Sequence, residues 1–190
     1  GDLMARWPAH DFPFSRLQTH QIAAPAELPS GTAKITYPSG TTGEPNGVCL
    51  SQAGMFWTAH TLANVLKKMD LDKHLVTLPL TILLENICGL YIPLLLGVQT
   101  VVLPSSRIGF EGSSQFNSGQ FLQVLLDWRP QSLVLVPELL RVLLHLHQQV
   151  PQSTQSLRFV AVGGGNFSAS LLASAGDYGL PVFEGYGLWE

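Results

Sequence analysis

The sequence predicts an α/β fold: a mostly parallel sheet with helices on both faces. Three observations predict it. From residue 74 onward, short Val- and Leu-rich runs alternate with longer segments of helical period, the signature of successive βαβ units. The short runs are apolar throughout instead of alternating, as expected of strands covered on both sides. A hydrophobic fraction of 46% against 12% charged residues, in a chain of 190, supplies enough apolar surface for one sizeable core.

Element by element, residues 1–33 carry Pro8, Pro13, Pro25 and Pro29 without sustained periodicity. They read as an extended N-terminal segment with one short helix near 15–22. Residues 34–190 read as a single α/β subdomain. Its first strands fall at 33–37 and 48–50. Ser51 is placed to cap a helix running to Met69, with Met55, Ala59, Leu62, Leu66 and Met69 forming its core-facing stripe. Phe56 and Trp57 on the same helix read as core residues. Strands follow at 74–79, 99–104, 132–136, 157–162 and 181–184, and helices at 84–96, 118–128, 137–150 and 168–178. Ser118 and Ser168 are expected to open helices, Pro137 suits a first helical position, and Pro130 and Pro151 stop helices. The Gly- and Ser-rich stretch 105–117 reads as a mobile loop.

Composition excludes several functions. A net charge of −3, with Lys67-Lys68 the only basic doublet, argues against nucleic acid as a partner. Two cysteines, Cys49 and Cys88, imply no disulfide framework and fit a reducing, cytoplasmic setting. Residues 86–106 contain no charge, but Pro93, Gly97 and Gln99 interrupt the run. A buried helix feeding a buried strand is therefore expected, not a membrane span. His145 and His147 point to different helix faces, and with His60 and His74 they read as solvated or core-edge residues, not metal ligands. Glu85 and Asn86 read as a helix start whose carboxylate suits the helix dipole. Trp128 reads as a helix-end packing residue. No catalytic residue is assigned: Ser39 lacks the nucleophile-elbow pattern and an assignable base.

Three motifs carry chemistry. The first is Tyr37-Pro38-Ser39-Gly40-Thr41-Thr42-Gly43-Glu44-Pro45-Asn46-Gly47, a glycine-bounded hydroxyl loop between two strands. Glycines bring backbone N–H groups close to a ligand and hydroxyls add donors, so such a loop suits an anion, above all a polyphosphate. It is not the P-loop pattern, because no Gly-Lys-Ser/Thr follows. The second is Gly163-Gly164-Gly165 after a strand. The third is Glu184-Gly185-Tyr186-Gly187 with Trp189 and Glu190, after the last strand. In an open parallel sheet, ligands bind beyond the carboxyl ends of the strands, where both of these lie.

Order and spacing of the three, with Leu78-Pro79-Leu80 between them, resemble the adenylate-forming superfamily: acyl-CoA synthetases, luciferases and peptide-synthetase adenylation domains. The resemblance runs from about Ile35 to the end. It implies a three-layer, flavodoxin-like AMP-binding subdomain of the large N-terminal domain. It also implies that Ser39, Gly40, Thr41, Thr42 and Gly43 cradle ATP phosphates. Gly163, Gly164, Gly165, Glu184, Gly185 and Gly187 would border the adenine, Tyr186 would stack on it, and Glu190 would bind Mg²⁺. The implied reaction joins a carboxylic acid, expected to be hydrophobic or fatty, to AMP, then transfers it to the thiol of CoA or an acyl carrier protein. The helix at 87–96 would line the acyl pocket. Pro38, Asn46 and Trp189 depart from the family pattern; Asn46 removes a lysine's charge-assisted phosphate contact. The family's ribose-binding Asp, hinge and catalytic Lys have no counterpart up to Glu190. The chain is thus expected to lack a C-terminal domain and full turnover. A catalytically inactive nucleotide-binding or scaffolding module is the alternative. A binding domain for something other than nucleotide is the third.

Overall fold

A computed structural model describes residues 27–37, 47–112, 115–165 and 168–185. The chain divides into two compact units, Gly1–Ser30 and Gly31–Glu190, and the second holds every element below. The helix expected near 15–22 lies outside the described residues.

Strands β1 (Thr32–Thr36) and β2 (Val48–Ser51) pair antiparallel, with Ile35 opposite Cys49. Helix α1 (Gln52–Leu66) follows directly, and the Ser51 side chain accepts from Gly54 N at 3.1 Å, the expected cap. A 3-10 turn carries the chain on to Met69. The buried face of α1 is Ala59, Ala63 and Leu66. Leu62 is exposed instead, and Phe56 and Trp57 are 57% and 70% exposed, which corrects their reading as core. Ala59, Ala63 and Leu66 form the face of α1 that packs on Ile87 and Ile92.

Five strands form a parallel sheet: β3 (Lys73–Leu75), β4 (Gln99–Val101), β7 (Ser132–Leu135), β8 (Phe159–Val162) and β9 (Val182–Glu184). Their order is β4-β3-β7-β8-β9. Counted within the sheet this is the 2-1-3-4-5 winding of flavodoxin-like folds, whose order reverses between β3 and β7. The central strand β7 is buried along its whole length, as a strand covered on both faces must be. One cluster packs Phe121, Leu125, Leu139, Leu140 and Leu143 onto Leu133, Leu135 and Val162; a second joins Ala59, Ala63 and Leu66 to Ile87 and Ile92.

Helices α5 (Ser118–Trp128), α6 (Pro137–Gln149) and α7 (Ala169–Asp177) match their predicted spans closely. The cap of α5 is Asn117, accepting from Gln120 N at 3.1 Å, and Ser118 is already helical. Ser168 takes the extended cap conformation of α7 without a side-chain cap bond. Half-buried Trp128 packs at the core margin, as expected. The stretch read as a loop contains α4 (Ser105–Ile108) and a small hairpin of β5 (Phe110–Glu111) and β6 (Gln115–Phe116). Its order has a physical cause: Phe110, Phe116 and Phe121 stack edge to face at 5.1 and 5.7 Å, and Asn117 N donates to Gly109 O at 2.7 Å. Among the described residues no helix is long and apolar enough to cross a membrane.

Candidate functional site

The helix expected over 84–96 is three pieces: α2 (Leu83–Asn86), a π-helical turn (Ile87–Tyr91) and α3 (Ile92–Leu96). The predicted strand over 74–79 is likewise cut to Lys73–Leu75. One residue accounts for the shorter strand. Glu85, fully buried, turns its carboxylate onto the end of β3 and accepts from Leu78 N at 2.9 Å and Thr77 N at 3.3 Å. These amides are thereby taken by a side chain and not by a neighbouring strand. The other carboxylate oxygen meets His74 Nε2 at 3.2 Å, and His74 Nδ1 meets Ser132 Oγ at 2.8 Å. Thr77 Oγ1 donates to Val134 O, stitching the same corner to β7.

His74, Thr77, Glu85, Asn86 and Ser132 are therefore all buried at the β3–β7 boundary, where the strand order reverses. This corrects two expectations. His74 is a core residue with an acidic partner, and Glu85 does more than favour a helix dipole. A signal existed: Glu85 is the only acidic residue between Asp72 and Glu111, and a carboxylate inside an apolar run must be paired if it is buried. His145 is exposed, while His147 bonds Thr154 Oγ1 at 2.7 Å. Among the described residues no group of three His, Cys, Asp or Glu is placed to hold a metal.

Gly89 lies in the π turn directly over this cluster. A Cβ there would overlap Glu85 Oε1 and lie 3.0 Å from His74 Nε2. The neighbouring Cys88 thiol is pushed up to about 12, first by burial and then by the Glu85 charge. Folding thus favours its protonated form. The unfolded thiol releases its proton from about pH 9, so stability is expected to fall as pH rises from there toward 12. Denaturant titrations of wild type and Cys88→Ala across that range check this: the alanine variant should lose the Cys88 share of the slope.

Further along the sheet edge, the glycine turns converge. Gly163 N donates to Leu135 O at 3.1 Å and Gly185 N to Val162 O at 2.8 Å, so both turns continue the ladder past the strand ends. A Cβ at Gly163 would stand 2.8 Å from Leu84 Cδ2 and 3.3 Å from Gly185 O. Leu84 of α2 therefore lies against the end of β8, beside the start of the chain leaving β9. Gly164 takes φ +82°, a left-handed conformation natural to glycine, and a Cβ at Gly165 would meet Pro137 Cγ at 3.1 Å. Of the sequence-predicted site residues, Gly163, Gly164, Gly165, Glu184 and Gly185 lie together at adjacent strand ends. Ser39, Gly40, Thr41, Thr42, Gly43, Tyr186, Gly187 and Glu190 lie outside the described residues, though β1 and β2 flank the first five in sequence.

The 2-succinylbenzoate–CoA ligase of Bacillus licheniformis is 30% identical over 158 residues, covering 83% of this chain and 30% of that protein. A probable CoA ligase of Humulus lupulus is 27% identical over 174 residues, covering 89% and 32%. The chain thus spans about a third of the length of these relatives. The solved structure of O-succinylbenzoate coenzyme A synthetase from Bacillus subtilis, in complex with ATP and magnesium ion, superposes with a TM-score of 0.63 at 26% identity, covering 92% of this chain and 33% of that one. A family model described as AMP-binding enzyme matches residues 5–190. With the match spanning nearly the whole chain, the chain belongs to the AMP-binding enzyme family.

Proposed function

We propose that this chain is the nucleotide-binding part of an ATP-dependent ligase that activates a carboxylic acid as its acyl-AMP and passes it to a thiol. The observation that carries the reading is the convergence of the Gly163–Gly165 and Gly185 turns at neighbouring strand ends, within a chain matched almost throughout by the AMP-binding family. Those glycines leave backbone, not side chains, at the sheet edge, where a flat ring can approach closely. In this reading Ser39, Gly40, Thr41, Thr42 and Gly43 hold phosphates, Glu184 and Gly187 flank the adenine stacked on Tyr186, and Glu190 holds Mg²⁺. ATP would supply the adenylyl group, and the protein would contribute alignment and charge stabilisation.

Leu84, set against Gly163, would border the acid between α2 and β8. Its apolar character supports a hydrophobic or fatty acid, with CoA or a carrier-protein thiol as acceptor in the cytoplasm. Residues 34–190 would act as one subdomain, with the hinge and catalytic lysine supplied by a C-terminal domain. A second reading, an inactive nucleotide-binding or scaffolding module, is favoured by Asn46 and Trp189, which replace expected phosphate-contacting residues.

ATP with Mg²⁺ is expected to raise the melting temperature. At ten times Kd the stabilisation is about 1.4 kcal/mol, roughly 3–5 °C for a domain of this size. No shift at millimolar ATP would count against the site. Pyrophosphate exchange with a panel of acids then separates the two readings: exchange supports the ligase. No exchange in the natural protein, restored by Asn46→Lys with Trp189→Thr, supports the inactive module.

A further inference from the structure

The proposed phosphate loop lies in sequence between β1 and β2, whose pairing is confined to themselves and does not join the five-stranded sheet among the described residues. Something must register that strand pair to the sheet edge if phosphate donors and ring-bordering glycines are to act on one ligand. Besides the continuation of β2 into α1, which packs on Ile87 and Ile92, one long-range polar contact contributes. Lys34 of β1 donates from Nζ to Asn86 Oδ1 at 2.8 Å, across 52 residues of sequence. Asn86 is buried, and the Lys34 ammonium is partly withdrawn from water, its pKa lowered by that burial. The preceding residue, Glu85, is bonded to Thr77 N, Leu78 N and His74. Asn86 and Glu85 thus join the hairpin and the switch point of the sheet through a single helical turn.

We propose that the α2 turn is a rivet in which Glu85 anchors on the end of β3 and Asn86 holds Lys34, making Lys34 and Asn86 positioning residues for the paired strands β1 and β2. This rests on the nucleotide reading above. Neither residue is assigned a contact with substrate; both act through the hairpin. A charge-assisted bond from an ammonium to a buried amide oxygen gives the link a direction as well as a strength. The adjacent π turn, closed over Glu85 at Gly89, holds the rivet head against His74.

The test uses Lys34→Met, Asn86→Leu, their double variant and Lys34→Arg in the full chain. Two quantities are read: amide hydrogen exchange at Ile35, Cys49 and Leu50, with Val134 and Val160 as internal reference, and the Kd for ATP with Mg²⁺ by calorimetry. Each single variant is expected to speed hairpin exchange and weaken ATP binding by about tenfold while the reference amides hold, the scale of one lost charged hydrogen bond. The double variant should be no worse than the worse single, because both remove the same contact, and Lys34→Arg should restore much of the loss. Lys34→Met, at a half-buried hairpin position, keeps the test valid if Asn86→Leu fails to fold. Unchanged hairpin exchange in Lys34→Met, or additive losses in the double variant, overturns the rivet. If wild type binds no ATP while hairpin exchange still responds to the variants, the nucleotide reading fails and the rivet stands as a structural link.

Discussion

Glu85→Ala is expected to destabilise the fold by about 3–5 kcal/mol, lowering the melting temperature by roughly 10 °C. The carboxylate is fully buried and is the acceptor for Leu78 N and Thr77 N, besides facing His74 Nε2. Truncation leaves two buried amides without an acceptor, each worth about 1–3 kcal/mol, and adds the cost of a cavity beneath the π turn. Glu85→Gln sharpens the argument. Its amide oxygen can still accept from Leu78 N and Thr77 N, while its NH₂ can donate to His74 Nε2. The imidazole must then carry its proton on Nδ1 and donate to Ser132 Oγ, the reverse of the tautomer that suits a carboxylate. The glutamine variant should therefore recover more than half of the lost stability. Denaturant melts of the two variants decide it. An alanine variant melting within a degree or two of wild type would show that the cluster is not a structural anchor.

Gly89→Ala should be strongly disruptive, costing about 3 kcal/mol, the upper end of core overpacking. The added carbon would collide with Glu85 Oε1 and crowd His74 Nε2, and neither partner is free to swing away, because each is buried and hydrogen-bonded. Gly163→Ala is the contrast. There the close neighbour is Leu84 Cδ2, the end of a flexible side chain, which can rotate to accommodate a methyl group. A thermal melt should separate the two by several degrees. Equal melting temperatures would mean that the turn at Gly89 relaxes at little cost and that its close approach to Glu85 is incidental.

Much of the fold was legible because the relevant signals are local. Pro137 opening α6, the helical stripe of α5 and the unbroken apolar run of β7 each follow from a few neighbouring residues. The glycine turns at 163–165 and 185 were legible as strand-end turns because glycine is a strong local turn signal. Other features were illegible for a common reason. The Phe110–Phe116–Phe121 stack, which orders a stretch of loop-like composition, depends on rings brought together by chain reversal. Trp57 and Phe56 read as core because apolar character does not reveal which face of a helix meets a neighbour.

The sequence alone determined the α/β class, the order of the five sheet strands and the three glycine motifs, since all depend on residue type and short spacing. Only tertiary structure decided that the strands wind 2-1-3-4-5, with the order reversing between β3 and β7. Only it could set His74, Glu85 and Ser132, from three separate segments, in one buried cluster and tie Asn86 to Lys34. The physical reason is that a buried carboxylate is stable only with partners, and those partners are residues that folding brings close, not residues adjacent in the chain.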